Sequence, residues 1–198
     1  MPKAESAYSR SNTVYDTSIG WRFINPKLSE MYFPFPMGET AENLVEKYGI
    51  TREEQDVFAH NTQQKYQNAL DLGKFKDEII PIHIPQRKGE DIIFAQDEHP
   101  RLGSVEKLGS LKPAFRKGGS VTAGNSSGVN DGAAALLIVS EETLKRYNLE
   151  PIAEVVSSAA AGVPPEIMGI GPVPATQKAL KRAGIGVKDL DLILERLQ

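Results

Sequence analysis

The sequence of 198 residues contains no cysteine. Without a thiol, this chain cannot form disulfides, bind a metal through thiolates or use a cysteine as a nucleophile. Long apolar runs are absent too. The longest, Ala133 to Val139, is far shorter than the ~20 residues that cross a bilayer.

Positive charge is also scarce, because the formal net charge is -3 and lysine and arginine form no long block. This balance excludes a general nucleic-acid-binding protein. Residues 1–20 contain no apolar stretch that resembles a signal peptide. We therefore expect a cytoplasmic protein that binds neither nucleic acid nor membrane.

Helix signals are clear between residues 40 and 113. Apolar side chains share one face at 40–48, Thr51 and Glu54 form a capping box for a longer helix, and Ser104 is a candidate N-cap. We expect three helices here. Further along, Ser140 is positioned to begin a helix and Gly184 to end another.

Strand signals lie in two regions, residues 80–95 and residues 133–194. Isoleucines alternate over residues 80–84, and QRKGE joins them to the apolar DIIFA at 91–95 as a hairpin or loop. We expect further strands at 133–139, 152–160 and 190–194, the first of them buried on both faces. Alternation of these strands with helices is typical of α/β layers.

A glycine-rich turn, VTAGNSSGVNDG at 121–132, precedes the apolar run. Such a turn usually means that another group approaches the backbone closely. The alternative is a tight turn into the next strand, for which Gly128 and Gly132 would be needed in any case.

Two long motifs, VTAGNSSGVNDGAAALLIVSEE and AGVPPEIMGIGPVPATQKALKRAG, resemble the thiolases, acyltransferases that cleave and form 3-oxoacyl-CoAs. The upstream segments MGETAENLVEKYGITREEQDVFA and GKFKDEIIPI are similar to the same family, in the same order. SIGWRFINP, PQRKGED and DEHPR look most like the degradative members that cleave 3-oxoadipyl-CoA or similar substrates.

The resemblance implies a partial thiolase fold of the α/β class, with mixed-sheet strands, covering helices and a helix-rich loop domain. It places the CoA-binding loop domain at 1–120, the end of the N-terminal core at 121–148, and the start of a truncated C-terminal core at 149–198. The family's nucleophilic cysteine, its Asn-Glu-Ala-Phe segment, its histidine and its second cysteine are expected outside this middle section. No catalytic residue is therefore assigned.

The resemblance makes coenzyme A a substrate and implies no permanently bound cofactor or metal. In the family the residue matching Ser127 bonds the pantetheine arm, whereas Arg101 resembles an arginine near the nucleotide. The candidate CoA contacts are Arg101, Leu111, Phe115, Ala123, Ser126, Ser127, Gly128 and Val129. Met37 and Met168 match methionines beside the reactive thioester. Ordinary packing is the alternative for the apolar members of this set.

Two functions from different classes remain open. The chain is a section of a thiolase-type acyltransferase, or it is a non-catalytic remnant that keeps a CoA-binding or assembly surface. We expect no turnover from the chain alone, because the nucleophile is absent. A homo-oligomer or a complementing thiolase chain is the expected protein partner.

Overall fold

The computed structural model describes residues 2–4, 8–10, 12–14, 19–21 and 24–194. The chain divides into two compact units. One is a continuous stretch, residues 41–128, which we call the central unit. The other combines residues 1–40 with residues 129–198, and we call it the flanking unit.

The first part of the flanking unit contains a small antiparallel hairpin and a short helix. Strands β1 (Pro2–Ala4) and β2 (Asn12–Val14) pair with each other, and helix α1 spans Pro26–Met31. The Asn25 side chain caps α1 by accepting a hydrogen bond from the amide of Lys27 at 3.0 Å.

The predicted helices at 40–48 and after Thr51 are confirmed. Helix α2 spans Met37–Tyr48 and α3 spans Arg52–Asp71. Thr51 and Glu54 form the predicted capping box, in which the Thr51 amide donates to Glu54 Oε2 at 2.7 Å and the Glu54 amide donates to Thr51 Oγ1 at 3.2 Å. Each side chain satisfies an amide that the first helical turn leaves without a partner.

The predicted hairpin and the third helix are also confirmed. Strands β3 (Ile82–Ile84) and β4 (Ile92–Phe94) are antiparallel, with Ile82 opposite Phe94. Ser104 caps helix α4 (Val105–Gly109), which packs against α3. Because α4 ends at Gly109, Leu111 lies in the turn that follows the helix.

The second part of the flanking unit carries the two predicted later helices. Helix α5 (Glu141–Tyr147) begins at Ser140, and α6 (Pro172–Ala183) ends at Gly184, whose φ of 74° is left-handed. Short 3₁₀ turns occupy Pro165–Ile170 and Val187–Asp189. In the described ranges, no helix is both long and apolar enough to cross a membrane.

The prediction of strands at 133–139, 152–160 and 190–194 is wrong. Among the described residues none of these segments joins a ladder, since both sheets are two-stranded hairpins built from β1 to β4. Leu136, expected in a doubly buried strand, is 88% exposed. A strand exists only where a neighbouring strand accepts and donates its backbone hydrogen bonds, and none in the described part of the chain does so here.

One of these segments is held by side chains instead. Ser157 Oγ donates to the Ala179 carbonyl at 2.9 Å, and Arg182 donates to the Ser158 carbonyl at 2.6 Å. Both partners lie on α6, so residues 157 and 158 are fixed to this helix without any ladder.

Candidate functional site

The glycine-rich turn is anchored at its start by a buried carboxylate. Glu42 on α2 is almost completely buried, and its Oε1 accepts hydrogen bonds from the amides of Ser120 and Val121, both at 2.8 Å. Its Oε2 is 3.2 Å from the Ser120 hydroxyl. A carboxylate that accepts several hydrogen bonds is far less costly to bury than a free one. Glu42 thereby fixes the backbone at 120–121.

The middle of the turn is organised by one side-chain amide. Asn125 Oδ1 accepts a hydrogen bond from the amide of Thr122 at 2.7 Å, and its Nδ2 donates to the Ser120 carbonyl at 3.0 Å. The same Nδ2 donates to Asp56 Oδ1 at 3.1 Å. Thr122 is fully buried and accepts from the amide of Gly124 at 3.2 Å. The turn is therefore closed by its own side chains and tied to α3.

An ion pair on α3 extends this network. Asp56 is 2% exposed, and its Oδ2 is 2.7 Å from Arg52 Nε. Arg52 Nη2 donates to the carbonyls of Leu108 at 2.6 Å and Leu111 at 3.1 Å. The charged pair thus contacts the end of α4 and the segment after it on one side and the glycine-rich turn on the other.

Close approach explains two glycines of this region. A Cβ at Gly119 would lie 2.3 Å from Glu42 Oε1, and one at Gly124 would lie 2.6 Å from Leu111 Cδ1. By contrast, a Cβ at Gly132 would meet no atom within 4 Å. The turn needs Gly119 and Gly124 for packing inside the central unit, whereas packing gives no such reason for Gly132.

Four of the eight predicted CoA contacts lie in residues 123–128 of the turn. Ala123 and Ser127 are exposed, whereas Ser126 and Gly128 are half-buried. Within the described part of the chain, the hydroxyls of Ser126 and Ser127 make no hydrogen bond. These two hydroxyls can therefore donate to, and accept from, a ligand without breaking an internal contact.

Three more predicted contacts lie in the same unit. Leu111 is partly exposed in the segment held by Arg52, and Phe115 is half-buried in the chain that leads to the turn. Arg101 is exposed, and its backbone amide donates to Gln63 Oε1 at 3.0 Å. Across the ranges that the structure describes, no ion pair engages the Arg101 side chain.

The remaining predicted residues belong to the flanking unit. Val129 is the first residue of the glycine-rich turn that falls in this unit, Met37 is the first residue of α2, and Met168 lies in the 3₁₀ turn at 165–170. All of them are exposed.

Several charged or ionisable side chains of the region are already engaged. Arg116 donates to Glu46 Oε1 at 2.6 Å and to Asn43 Oδ1 at 2.7 Å. His60 Nδ1 lies 2.8 Å from the Gly103 carbonyl oxygen. The sequence offered no base to activate a serine, and in the structure His60 contacts a backbone carbonyl rather than Ser126 or Ser127.

The residues that hold the turn were not among the predicted site residues. They are Glu42, Arg52, Asp56 and Asn125. In the sequence alone, Glu42 and Asp56 are ordinary acidic residues in helices that carry several other acidic residues. The one available signal was Asn125, which sits between two small residues in the turn already singled out by its glycines.

Comparison with known proteins places this arrangement in a family. Residues 1–142 match the thiolase N-terminal domain, and residues 149–195 match the thiolase C-terminal domain. A beta-ketoadipyl-CoA thiolase of Acinetobacter baylyi is 48% identical over 98% of this chain and 48% of its own length. An acetyl-CoA acetyltransferase of Pseudomonas aeruginosa is 56% identical over 86% of this chain and 44% of its own length.

Solved structures agree on the fold. The Bacillus anthracis acetyl-CoA acetyltransferase superposes with a TM-score of 0.73 at 48% identity, over 87% of this chain and 45% of that one. Human mitochondrial 3-ketoacyl-CoA thiolase in complex with CoA gives 0.71 at 48% identity, over 80% and 39%. The chain spans about half the length of the curated relatives it matches. These matches confirm the partial α/β thiolase fold, and the chain belongs to the thiolase family.

Proposed function

We propose that this chain forms the coenzyme A-binding section of a thiolase-type acyl-CoA acyltransferase. The observation that carries the proposal is the arrangement of residues 119–128, which comprise the first part of the glycine-rich turn and the two residues before it. Its backbone is fixed by buried acids, while the hydroxyls of Ser126 and Ser127 have no hydrogen-bonding partner within the described ranges. A rigid backbone with unengaged hydroxyls suits a ligand that offers amide groups along a thin chain, as pantetheine does.

The proposed contacts divide the ligand into three parts. Ser127 bonds the pantetheine arm, and Ala123, Ser126, Gly128 and Val129 line its path. Leu111 and Phe115 supply apolar surface for the pantetheine and the adenine. Arg101 binds the phosphates, since an exposed guanidinium can make charge-assisted hydrogen bonds with them. Met37 and Met168 line the acyl end.

The proposed parent reaction is acyl transfer between CoA and a 3-oxoacyl-CoA. A cysteine thiolate attacks the 3-oxo carbonyl, the bond between the α- and β-carbons breaks, and the released acetyl-CoA enolate takes up a proton. The thiol of a second CoA then attacks the thioester left on the cysteine, which releases the shortened acyl-CoA and the free cysteine thiol. The name of the Acinetobacter baylyi relative supports 3-oxoadipyl-CoA as the substrate class. In this reaction the proposed role of the chain's own residues is to bind and orient CoA. Because the chain has no thiol, we expect the isolated chain to be inactive.

The proposal includes the organisation inferred from the family. A CoA-binding loop domain occupies 1–120, with parts of the two core domains at 121–148 and 149–198. CoA is a substrate rather than a resident cofactor. A second thiolase chain, of the same or a complementing kind, in the cytoplasm is the proposed partner.

The second candidate is a non-catalytic CoA-binding or assembly remnant of a thiolase, and the unengaged hydroxyls of Ser126 and Ser127 support CoA binding in that case as well. Thiolysis assays with acetoacetyl-CoA or 3-oxoadipyl-CoA distinguish the two. We expect no turnover from the chain alone. If adding a thiolase fragment that carries the nucleophile restores turnover, the chain is an enzyme section. If it does not, the remnant is favoured. Turnover by the isolated chain, free of host thiolase, would contradict its proposed inactivity.

Calorimetric titration with CoA tests the binding itself. We expect a weak complex, measurable at millimolar ligand. Ser127→Ala should weaken it about fivefold through loss of one hydrogen bond. Arg101→Ala should weaken it about tenfold at low salt and less at high salt. Ser158→Ala and Arg87→Ala, at other exposed positions, are matched controls that should bind normally. Absence of wild-type binding at millimolar CoA overturns the proposal.

A further inference from the structure

The Arg52–Asp56 pair lies between two segments that carry predicted CoA contacts. Asp56 Oδ1 accepts from Asn125 at 3.1 Å, next to Ser126 and Ser127. Asp56 Oδ2 pairs with Arg52 at 2.7 Å, and Arg52 donates to the Leu108 and Leu111 carbonyls. Each segment is therefore one hydrogen bond away from the same ion pair.

Because Asp56 is buried, its hydrogen bonds to the two segments are costly to break. Asp56 is 2% exposed, so water cannot replace a partner that moves away. Removing one partner of a buried charged pair is far more costly than removing an exposed one. Both carboxylate oxygens are committed, one to each side, and a shift of either segment disturbs the contact of the other.

Other elements of the central unit are held independently of this pair. Thr51 and Glu54 cap α3, Ser104 caps α4, and the hairpin of β3 and β4 has its own ladder. Loss of the Asp56 contacts should therefore loosen residues 108–125 in particular. It should leave the rest of the unit formed.

We propose that Asp56 and Arg52 are positioning residues of the coenzyme A site, which set the pantetheine-binding turn at 123–128 against the apolar wall at Leu111 before the ligand arrives. This inference rests on the proposed function. Asp56 acts through Asn125 and Arg52 and touches no ligand. Arg101 lies outside the linked segments, so its phosphate contact does not depend on the pair, and the nucleotide end depends on the pair only through the adenine contacts of Leu111 and Phe115.

Two substitutions test the linkage. Asp56→Asn keeps the shape of the side chain, but its amide cannot satisfy both neighbours. Whichever way it turns, a donor faces either Arg52 or Asn125. Asn125→Ala leaves the ion pair intact and removes the contact between Asp56 and the turn, together with the bonds of Asn125 to the Thr122 amide and the Ser120 carbonyl. It serves if Asp56→Asn does not fold. The control is Asp71→Asn at the exposed end of α3, where Gln67 donates to Asp71 at 2.8 Å.

The first readout compares two ligands by calorimetry. CoA reports on the whole site, whereas adenosine 3',5'-bisphosphate reports on the nucleotide end alone. Both variants should lose about tenfold or more in CoA affinity and less than about threefold in bisphosphate affinity, because the bisphosphate lacks the pantetheine that the turn contacts and, in the linked segments, keeps only the adenine contacts at Leu111 and Phe115. The control should match wild type for both. Equal losses for both ligands, or unchanged CoA affinity, would overturn the inference.

Hydrogen exchange is the second readout and needs no ligand. Amides of residues 122–124 should exchange at least about tenfold faster in both variants, and those of residues 110 and 111 should do so in Asp56→Asn, with α3 and the hairpin unchanged. If wild type does not bind CoA, the proposed function fails, and exchange still decides the positioning. Faster exchange confined to 108–125 supports it, and unchanged exchange refutes it.

Discussion

The carboxylate of Glu42 accepts a 2.8 Å hydrogen bond from the amide of Val121, and both residues are buried. Glu42→Ala would leave this amide and that of Ser120 without a partner. We expect the variant to lose about 3 kcal/mol of unfolding free energy, because each buried donor keeps its desolvation cost. Urea denaturation followed by far-UV circular dichroism measures this loss.

Glu46→Ala, on the same helix, is the matched control. Glu46 pairs with Arg116, but its side chain is 70% exposed. Exposed pairs contribute little, so we expect a change below about 1 kcal/mol. Equal effects of the two substitutions would show that burial of Glu42 does not matter.

Gly119→Ala should destabilise the central unit. The new Cβ would sit 2.3 Å from Glu42 Oε1 and 3.1 Å from Arg116 Cβ. To avoid this clash the Glu42 carboxylate must move away from the amides of Ser120 and Val121. We expect a loss of about 2 kcal/mol in unfolding free energy, which is typical of overpacking. Thermal unfolding of Gly119→Ala and of Gly132→Ala, whose Cβ meets nothing within 4 Å, provides the comparison. A midpoint for Gly119→Ala at or above that of Gly132→Ala would contradict the crowding.

Acid should weaken the start of α3. The hydrogen bond from the Thr51 amide holds the pKa of Glu54 below its ordinary value, with the Thr51 hydroxyl adding to this effect. A lowered folded-state pKa means that this stabilisation is present above the unfolded pKa and disappears as the pH falls through the folded one.

Glu54→Gln tests this, since glutamine does not titrate. We expect wild type to exceed the variant in melting temperature near pH 6.5, and the difference to shrink by about pH 3. Glu53→Gln, in the same first turn but outside the capping box, controls for general charge effects. A difference between wild type and Glu54→Gln that is constant with pH would refute the assignment.

The exposed apolar run at 133–139 should cause the isolated chain to associate. Leu136, Leu137 and Ile138 are all exposed, and their backbone joins no ladder in the described residues. Uncovered apolar side chains beside unpaired backbone favour contact with another chain. Light scattering coupled to size exclusion, over a dilution series, should give masses above the monomer.

Leu137→Lys should shift that distribution toward monomer. Val187→Lys, at an exposed position away from the run, should not. A wild-type monomer at micromolar concentration with slowly exchanging amides at 133–139 would show that the run is covered within the chain.

Local signals predicted the helices well because their determinants are neighbours in sequence. The Thr51 hydroxyl accepts a hydrogen bond from the amide of Glu54, three positions later. The Ser140 hydroxyl accepts one from the amide of Thr143 at the same spacing. The hairpin of β3 and β4 is similarly local. The strand expected at 133–139 failed because pairing depends on a distant partner that apolar content alone cannot specify.

For the candidate site, too, the local features could be predicted from the sequence and the long-range contacts could not. A glycine-rich turn with two serines was visible in the sequence, and so was its likeness to the thiolases. The contacts that fix it were not, because Glu42 and Val121 are 79 positions apart and Asp56 and Asn125 are 69 positions apart. Nothing in the pattern of either helix marks which acid turns inward.

The central unit is one unbroken stretch, whereas the flanking unit needs residues from both sides of it. During synthesis, residues 41–128 are complete before residue 129 leaves the ribosome, and the contacts of Glu42, Asp56 and Asn125 with the glycine-rich turn are then available. The unit can thus close around the Arg52–Asp56 pair while the flanking unit still lacks its second half. Folding of this chain should proceed from the central unit outward, with the contacts of the glycine-rich turn among its earliest tertiary structure.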